Sequence, residues 1–148
     1  MTTGRAWRLT GTLHVPLPPA EAFPLFTARG EQGWVDGWEP RFPGAVDDDT
    51  APGVVWETVH AGEHTLWLVL DSDPGRRIRY ARVTPHDRAG TVTVELRDAA
   101  AGGSDVTVTY VLTAFTEAAD GALATFATGY DEFLAGWQTA MERYLATT

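Results

Sequence analysis

The feature that most constrains the fold is a change in hydrophobic spacing along the 148-residue chain. From residue 53 to residue 115, apolar side chains recur at every second position, as in half-buried β-strands. Short joints rich in Gly, Pro and Asp separate the segments. Short joints connect antiparallel neighbours, so the pattern predicts a five-strand meander. The predicted strands are 54–60, 64–70, 76–83, 90–97 and 104–115.

Elements of other kinds flank this meander. Residues 7–15 alternate in the same way and predict one more strand, which a short proline-led helical stretch follows. Near the C-terminus the spacing becomes three and four, which predicts an amphipathic helix from Asp120 to Ala146 with Asp120 as N-cap. That helix is the one long element able to cover the apolar sheet face. We therefore predict a single α+β domain over 1–148, with a curved antiparallel sheet of about six strands wrapped around a long C-terminal helix.

Composition disfavours several classes of function. The chain has no Cys, which excludes disulfides and thiolate metal sites and suits a cytoplasmic protein. It also has no Lys, and therefore no Schiff-base or phosphate-loop lysine. A net charge of −9 argues against nucleic acid and anionic membrane surfaces as partners. No apolar run approaches the ~18 residues of a membrane span. We expect neither a nucleic-acid partner nor membrane insertion, and a monomer or homodimer.

Two short motifs resemble metal sites but lack the necessary geometry. "HAGEH" at 60–64 matches a zinc-peptidase pattern that requires one helical face, whereas here it joins two strand-like runs. "DDD" at 47–49 lacks the spaced ligands and the glycine of a calcium loop. We predict no metal and no cofactor.

Four arginines fall within the predicted strand 76–83. Alternation places Arg82 on one face with Ile78 and Tyr80, while Arg77 and Arg79 lie on the opposite face. An inward-facing Arg82 would be a buried cation and would need a partner. Either a glutamate of a neighbouring strand, Glu57 or Glu95, pairs with it, or it holds an anionic group of a ligand.

The segment "GEQGWVDGWEP" at 30–40 carries two tryptophans among glycines and acids. If the segment is helical, Trp34 and Trp38 share one side because they are four residues apart. Two interpretations are open. The indoles cap a pocket while the glycines let the backbone shift, or they plug one end of the core permanently.

Several motifs, in this order, resemble those of the SRPBCC superfamily, also called START or birch-pollen-allergen-like. They are "GTLHVPLPPAEAFPLFT", "GWVDGWEP", "RIRYARVTP" and "FLAGWQTAMERYL", and together they span nearly the whole chain. The resemblance implies a helix-grip fold with an apolar cavity between the sheet and the C-terminal helix. In such a fold the short helices and adjoining loops form the mouth of the cavity.

The resemblance also implies a range of functions. The first is binding of a small hydrophobic or aromatic molecule of lipid or polyketide type. The alternatives are a polyketide cyclase, dehydratase or aromatase in the same cavity, and a chaperone-activator-like interaction module. No spacing singles out an acid–base pair among the polar candidates, which are His14, Tyr110, Tyr130 and Asp131. Our candidates for the cavity wall are Trp34, Trp38, Trp56, Trp67, Tyr80, Arg82, Tyr110, Phe126, Tyr130, Phe133 and Trp137.

Overall fold

A computed structural model describes residues 4–147, in which six strands form one antiparallel sheet. The strands are β1 (Ala6–Val15), β2 (Val55–His60), β3 (Glu63–Asp73), β4 (Arg77–Thr84), β5 (Arg88–Asp98) and β6 (Ser104–Ala114). Their order in the sheet is β1-β6-β5-β4-β3-β2. The meander predicted from the two-residue period is therefore present, and β1 pairs with β6 to complete the sheet.

The helices lie before and after the meander. They are α1 (Pro19–Ala22), α2 (Glu117–Thr128) and α3 (Tyr130–Ala146), with short 3-10 turns at Phe23–Phe26 and Gly30–Gly33. None of the helices within residues 4–147 is long and apolar enough to cross a membrane. The α+β class, the curved sheet and the long C-terminal helix are confirmed.

The start of the C-terminal helical region differs from the prediction. Thr116, not Asp120, is the N-cap, because its extended backbone lets its hydroxyl accept a hydrogen bond from the N–H of Ala119 at 3.0 Å. The Asp120 carboxylate instead accepts a 2.7 Å hydrogen bond from the indole N–H of Trp7 on β1. The region is also divided at Gly129, where α2 ends and α3 begins.

The C-terminal helices cover only one half of the sheet. α3 lies on β1, and α2 lies on β6 and β1. Gly11 permits this close approach, since a side chain there would meet Leu134 at 2.8 Å. On the other half, a register shift in β3 between Val69 and Asp71 marks a bulge, a feature that bends a strand. The inner face of β2, β3 and β4 therefore curves away from the helices and leaves space above it.

The long connection between α1 and β2 closes this space and is held by local hydrogen bonds. The Thr27 hydroxyl donates to the carbonyl of Pro24 at 2.8 Å and accepts from the N–H of Gly30 at 3.0 Å. A side chain at position 30 would collide with the Pro24 carbonyl, so only glycine fits this turn. Asp49 accepts from the N–H of Arg29 at 2.9 Å. These bonds position residues 31–38 over the inner face of the sheet.

Candidate functional site

A cavity of about 400 Å³ lies between the inner face of the sheet and the C-terminal helices. This volume falls within the ordinary range for small-molecule sites, roughly 300–1,000 Å³. Strands β2 to β6, both C-terminal helices and the connection at residues 31–38 contribute to its wall. The lining residues are Glu31, Val35, Trp38, Thr58, His60, Glu63, Thr65, Trp67, Arg82, Asp87, Arg88, Tyr110, Leu112, Ala119, Ala122, Leu123, Phe126, Phe133 and Trp137.

One wall of the cavity, which we call the aromatic wall, is formed by Tyr110, Phe126, Phe133 and Trp137. The ring of Tyr110 on β6 lies edge-on to Phe126 of α2, with centroids 5.6 Å apart. Phe126 and Phe133 are 4.9 Å apart, and Phe133 and Trp137 are 5.2 Å apart. Such offset and edge-to-face contacts fix the rings relative to one another. The result is a continuous apolar surface that crosses from the sheet to both helices.

The opposite wall is built around Trp67 on β3. Its ring stacks on that of Trp56 with centroids 6.0 Å apart and meets Trp38 edge-on at 5.5 Å. Its indole N–H donates to the hydroxyl of Thr58 at 3.0 Å. On β3, Trp67 and Thr65 face the cavity, whereas Leu66 is 44% exposed on the outer face of the sheet.

The structure places seven of the eleven candidate residues on the cavity wall. They are Trp38, Trp67, Arg82, Tyr110, Phe126, Phe133 and Trp137. Their role as ligand contacts remains a prediction. The other four, Trp34, Trp56, Tyr80 and Tyr130, are buried one layer behind the wall.

The four residues behind the wall have structural partners of their own. The hydroxyl of Tyr80 donates to the carbonyl of Phe26 at 2.6 Å, and that of Tyr130 donates to the carbonyl of Val108 at 2.7 Å. Trp56 supports Trp67 by stacking on it. These side chains hold the wall in place but do not line the cavity.

Trp34 and Trp38 do not form one helical face. The 3-10 turn at Gly30–Gly33 ends at Trp34, and each indole N–H donates a 2.7 Å hydrogen bond to a separate backbone carbonyl, of Leu25 and of Ala28 respectively. Trp34 packs edge-on against Trp137 from behind, whereas Trp38 lines the cavity. Both are at least 92% buried, because their exposed fractions are 7% and 8%. These contacts favour a fixed plug for Trp34 and a fixed wall for Trp38.

Arg82 faces the cavity, as the alternation of β4 predicts. Its guanidinium lies 4.8 Å from the centre of the Trp67 ring, and one terminal nitrogen donates to the hydroxyl of Thr84 at 3.2 Å. Its Nε is buried and has no hydrogen-bond partner within residues 4–147. Burial lowers the pKa of Arg82, and the positive charge of nearby Arg88 acts in the same direction.

The two glutamates considered as partners for Arg82 lie on the other face of the sheet. Glu57 lies on the outer face of β2, where its carboxylate is 3.1 Å from Nε2 of His64. Glu95 lies opposite Arg77 in the β4–β5 register. Structural pairing of Arg82 with either glutamate is therefore wrong, because strand alternation directs both carboxylates away from the cavity.

The other charged groups of the cavity form a network of their own. Arg88 binds both carboxylate oxygens of Glu63 at 2.8 Å and one oxygen of Asp87 at 2.9 Å. These bonds lower the pKa of Glu63. One arginine faces two carboxylates, so the network keeps a net negative charge, which acts on Arg82 from a distance but makes no direct contact with it.

Glu31 is a cavity residue that the sequence did not single out. It lies in the 3-10 turn at Gly30–Gly33, with part of its surface in the cavity wall. Burial raises the pKa of its carboxyl to about 8, against the opposing charge of Arg82. At neutral pH Glu31 is therefore mainly an uncharged acid. In the sequence, only its position three residues before Trp34 pointed to it. The segment is too irregular for the direction of the Glu31 side chain to be predicted.

The hydroxyl of Tyr110 is the third polar group of interest. Tyr110 is buried, lines the cavity and makes no hydrogen bond through its hydroxyl in the part of the chain that the structure describes. Burial raises the pKa of this hydroxyl, so it remains a neutral donor. Arg82, Glu31 and Tyr110 thus bring hydrogen-bonding capacity into a cavity that is otherwise largely apolar.

The remaining polar candidates lie outside the cavity. The ring of His14 is 3.5 Å from Asp105, and its backbone N–H donates to Gln138. Asp131 is exposed on α3. The "HAGEH" segment is a tight hairpin turn between β2 and β3, and no cluster of three or more potential metal-binding His, Asp or Glu side chains occurs within residues 4–147.

Comparison with known proteins gives matches in structure but not in sequence. No family model and no curated protein matches the chain. Ara h 8.0201, a Bet v 1-like protein, is 15% identical over 97% of this chain and 100% of that chain, with a TM-score of 0.65. DynU16, from the dynemicin biosynthetic locus, is 16% identical over 95% of this chain and 47% of that chain, with a TM-score of 0.63. The Aha1 dimer from Colwellia psychrerythraea is 16% identical over 92% of this chain and 96% of that chain, with a TM-score of 0.63.

These similarities establish the fold. The chain has the helix-grip architecture, and the resemblance to the SRPBCC superfamily is confirmed at that level. Proteins with this architecture include one from a biosynthetic locus and one that is a dimer, so the fold alone does not select a function.

Proposed function

We propose that this protein binds a small hydrophobic or aromatic molecule in the cavity between its sheet and its C-terminal helices. The observation that carries the proposal is the 400 Å³ cavity with the aromatic wall on one side and Trp38 and Trp67 on the other. Small-molecule sites are typically concave, mostly apolar and furnished with a few polar groups. Arg82, Tyr110 and Glu31 are such groups here.

A cavity-filling variant tests the proposal. Ala122 on α2 lines the cavity and is partly open to solvent on the other side, so Ala122→Trp fills the space at small cost to packing. The matched control is Ala118→Trp, on the exposed face of the same helix and away from the cavity. The measurement is a thermal-shift screen against apolar and aromatic compounds, followed by native mass spectrometry.

We expect one or more compounds to bind the wild type and the control with 1:1 stoichiometry and to raise their melting temperature. At a ligand concentration 100 times Kd the stabilisation is about 2.7 kcal/mol. Ala122→Trp should lose this response. A screen in which lipids, polyketides and aromatic acids and amides all fail to shift the wild type would refute the proposal.

One observation supports an enzymatic alternative in the same cavity. An acid with a raised pKa in a cavity that also holds a cation is typical of acid–base catalysis, and Glu31, which shares the cavity wall with Arg82, has this character. A cyclase or dehydratase acting on a polyketide-like substrate would use Glu31 as proton donor and Arg82 to hold an oxygen. Turnover of a model poly-ketone that is lost in Glu31→Gln, with binding retained, would support it. No turnover by the wild type would remove it.

A further inference from the structure

Arg82 and Tyr110 bring hydrogen-bond donors without partners to the cavity wall of the described chain. On Arg82 these are the buried Nε and one terminal nitrogen, and on Tyr110 it is the hydroxyl, which faces the cavity. A buried donor without a partner costs about 1–3 kcal/mol, and more when it is charged. The ligand-free protein bears this cost at a binding site, and the bound ligand removes it by supplying the missing acceptor.

The positive charge of Arg82 is also not balanced by direct contact. The acids of the cavity wall are Glu31, Glu63 and Asp87. Glu63 and Asp87 both bind Arg88 and act on Arg82 only from a distance, and Glu31 is mainly uncharged at neutral pH because burial raises its pKa to about 8. An unpaired cation in a desolvated site is expensive, and a matching anion removes most of the cost.

The surroundings of the guanidinium leave room for an anion at its edge. One face lies over the ring of Trp67. One terminal nitrogen of Arg82 already donates to Thr84, and Nε has almost no accessible surface. The other terminal nitrogen borders the cavity without a partner, so it is the donor left for a charge-assisted hydrogen bond to a carboxylate oxygen.

We infer that the ligand is an aromatic or otherwise apolar carboxylic acid whose carboxylate accepts hydrogen bonds from Arg82 and Tyr110. Its apolar body packs against the aromatic wall. The inference rests on the proposed function and adds the chemical class of the ligand. The acidic group, not the apolar body, then sets the orientation of the ligand in the cavity.

Matched pairs of probes test this inference. The pairs are benzoate and benzamide, 2-naphthoate and 2-naphthamide, and anthracene-2-carboxylate and its amide, each titrated at pH 7 by calorimetry. Acid and amide have the same shape and differ in charge. For the pair that fits, we expect the acid to bind wild-type protein about 10- to 100-fold more tightly, the range for charge-assisted hydrogen bonds.

Variants locate the origin of this preference. Arg82→Gln should abolish the preference for the acid while the affinity for the amide stays within about threefold. Arg97→Gln removes an arginine from the exposed outer face and should leave the preference intact. Tyr110→Phe keeps the ring and removes only the hydroxyl, so it should reduce the preference about three- to tenfold even if Arg82→Gln fails to fold.

The outcomes separate the inference from the proposed function. Equal affinity for acid and amide in the wild type contradicts the inference and leaves the proposed function standing. The same holds if a folded Arg82→Gln keeps the preference, or if Tyr110→Phe does not change it. If no member of any pair binds, and the broader screen is also negative, the proposed function fails as well.

Discussion

The roles of Arg82 and Glu31 depend on the direction in which each side chain points. Four arginines fall within a few residues of each other, yet two of them, Arg77 and Arg79, pair with Asp71 on the outer face. Arg82 alone of these points into the cavity, where burial lowers its pKa. Strand alternation was sufficient to predict this difference, because side chains of a strand take opposite faces in turn.

Glu31 could not be predicted in the same way. It lies in a single 3-10 turn, and its direction depends on the hydrogen bonds that Thr27 makes with Pro24 and Gly30. Hydrogen bonds of this kind produce no periodic pattern in the sequence from which they could be predicted. Gly30 itself suggested mobility in the sequence, whereas the structure requires it for close approach to the Pro24 carbonyl.

The raised pKa of Glu31 predicts a specific dependence of stability on pH. The folded-state pKa of about 8 lies above the ordinary value of 4.5, so the folded protein binds this proton more tightly than the unfolded chain. The contribution is fully present below about pH 4.5 and is lost as the pH rises towards 8. The titratable and charged groups facing the same cavity are His60, Glu63, Arg82, Asp87, Arg88 and Tyr110.

Glu31→Gln should remove this loss, because glutamine does not ionise. The free energy of unfolding of Glu31→Gln minus that of the wild type should grow by at least about 1 kcal/mol from pH 5 to pH 8, since one pKa unit corresponds to about 1.4 kcal/mol. Urea denaturation at a series of pH values measures it. The control for loss of a charge is Glu132→Gln, which replaces an exposed glutamate on α3. A difference that stays constant over this range would contradict a buried, protonated Glu31.

At the scale of elements, the period of the sequence predicted which segments are strands and which are helices, but not how the helices end. Thr116 and Asp120 are both good N-cap types. Thr116 caps α2 because its backbone is extended, while Asp120 is one turn inside and binds Trp7. The division at Gly129 was likewise hidden, because the apolar stripe continues from α2 into α3.

The tryptophan segment illustrates the same limit. The four-residue spacing of Trp34 and Trp38 favoured a shared helical face, yet the chain makes one 3-10 turn and then a reversal at Gly37, whose φ of 74° is left-handed. The two indoles therefore reach different partners, Trp34 behind the wall and Trp38 on it. A separation of four residues brings side chains together only if the helix persists between them.

At the scale of the molecule, alternation and turn chemistry were sufficient to predict the sheet and its covering helix. The cavity depends on how these elements curve and on where α2 and α3 lie, over β1 and β6 and away from β2. The small residues of α2 illustrate the difficulty, because Ala122 lines the cavity whereas Ala124 and Ala127 do not. Empty space results from packing of the whole molecule and has no direct pattern in the sequence.

Binding of a ligand in this cavity, as proposed, would be detected directly at the indole N–H resonances of the tryptophans. Trp38, Trp67 and Trp137 line the cavity, whereas Trp7 lies away from it and donates to Asp120. In two-dimensional ¹H–¹⁵N spectra, titration with 2-naphthoate or 2-naphthamide should shift the three cavity signals saturably and leave that of Trp7 unchanged. Signals that do not move with either compound, or a saturable shift confined to Trp7, would contradict ligand binding in this cavity.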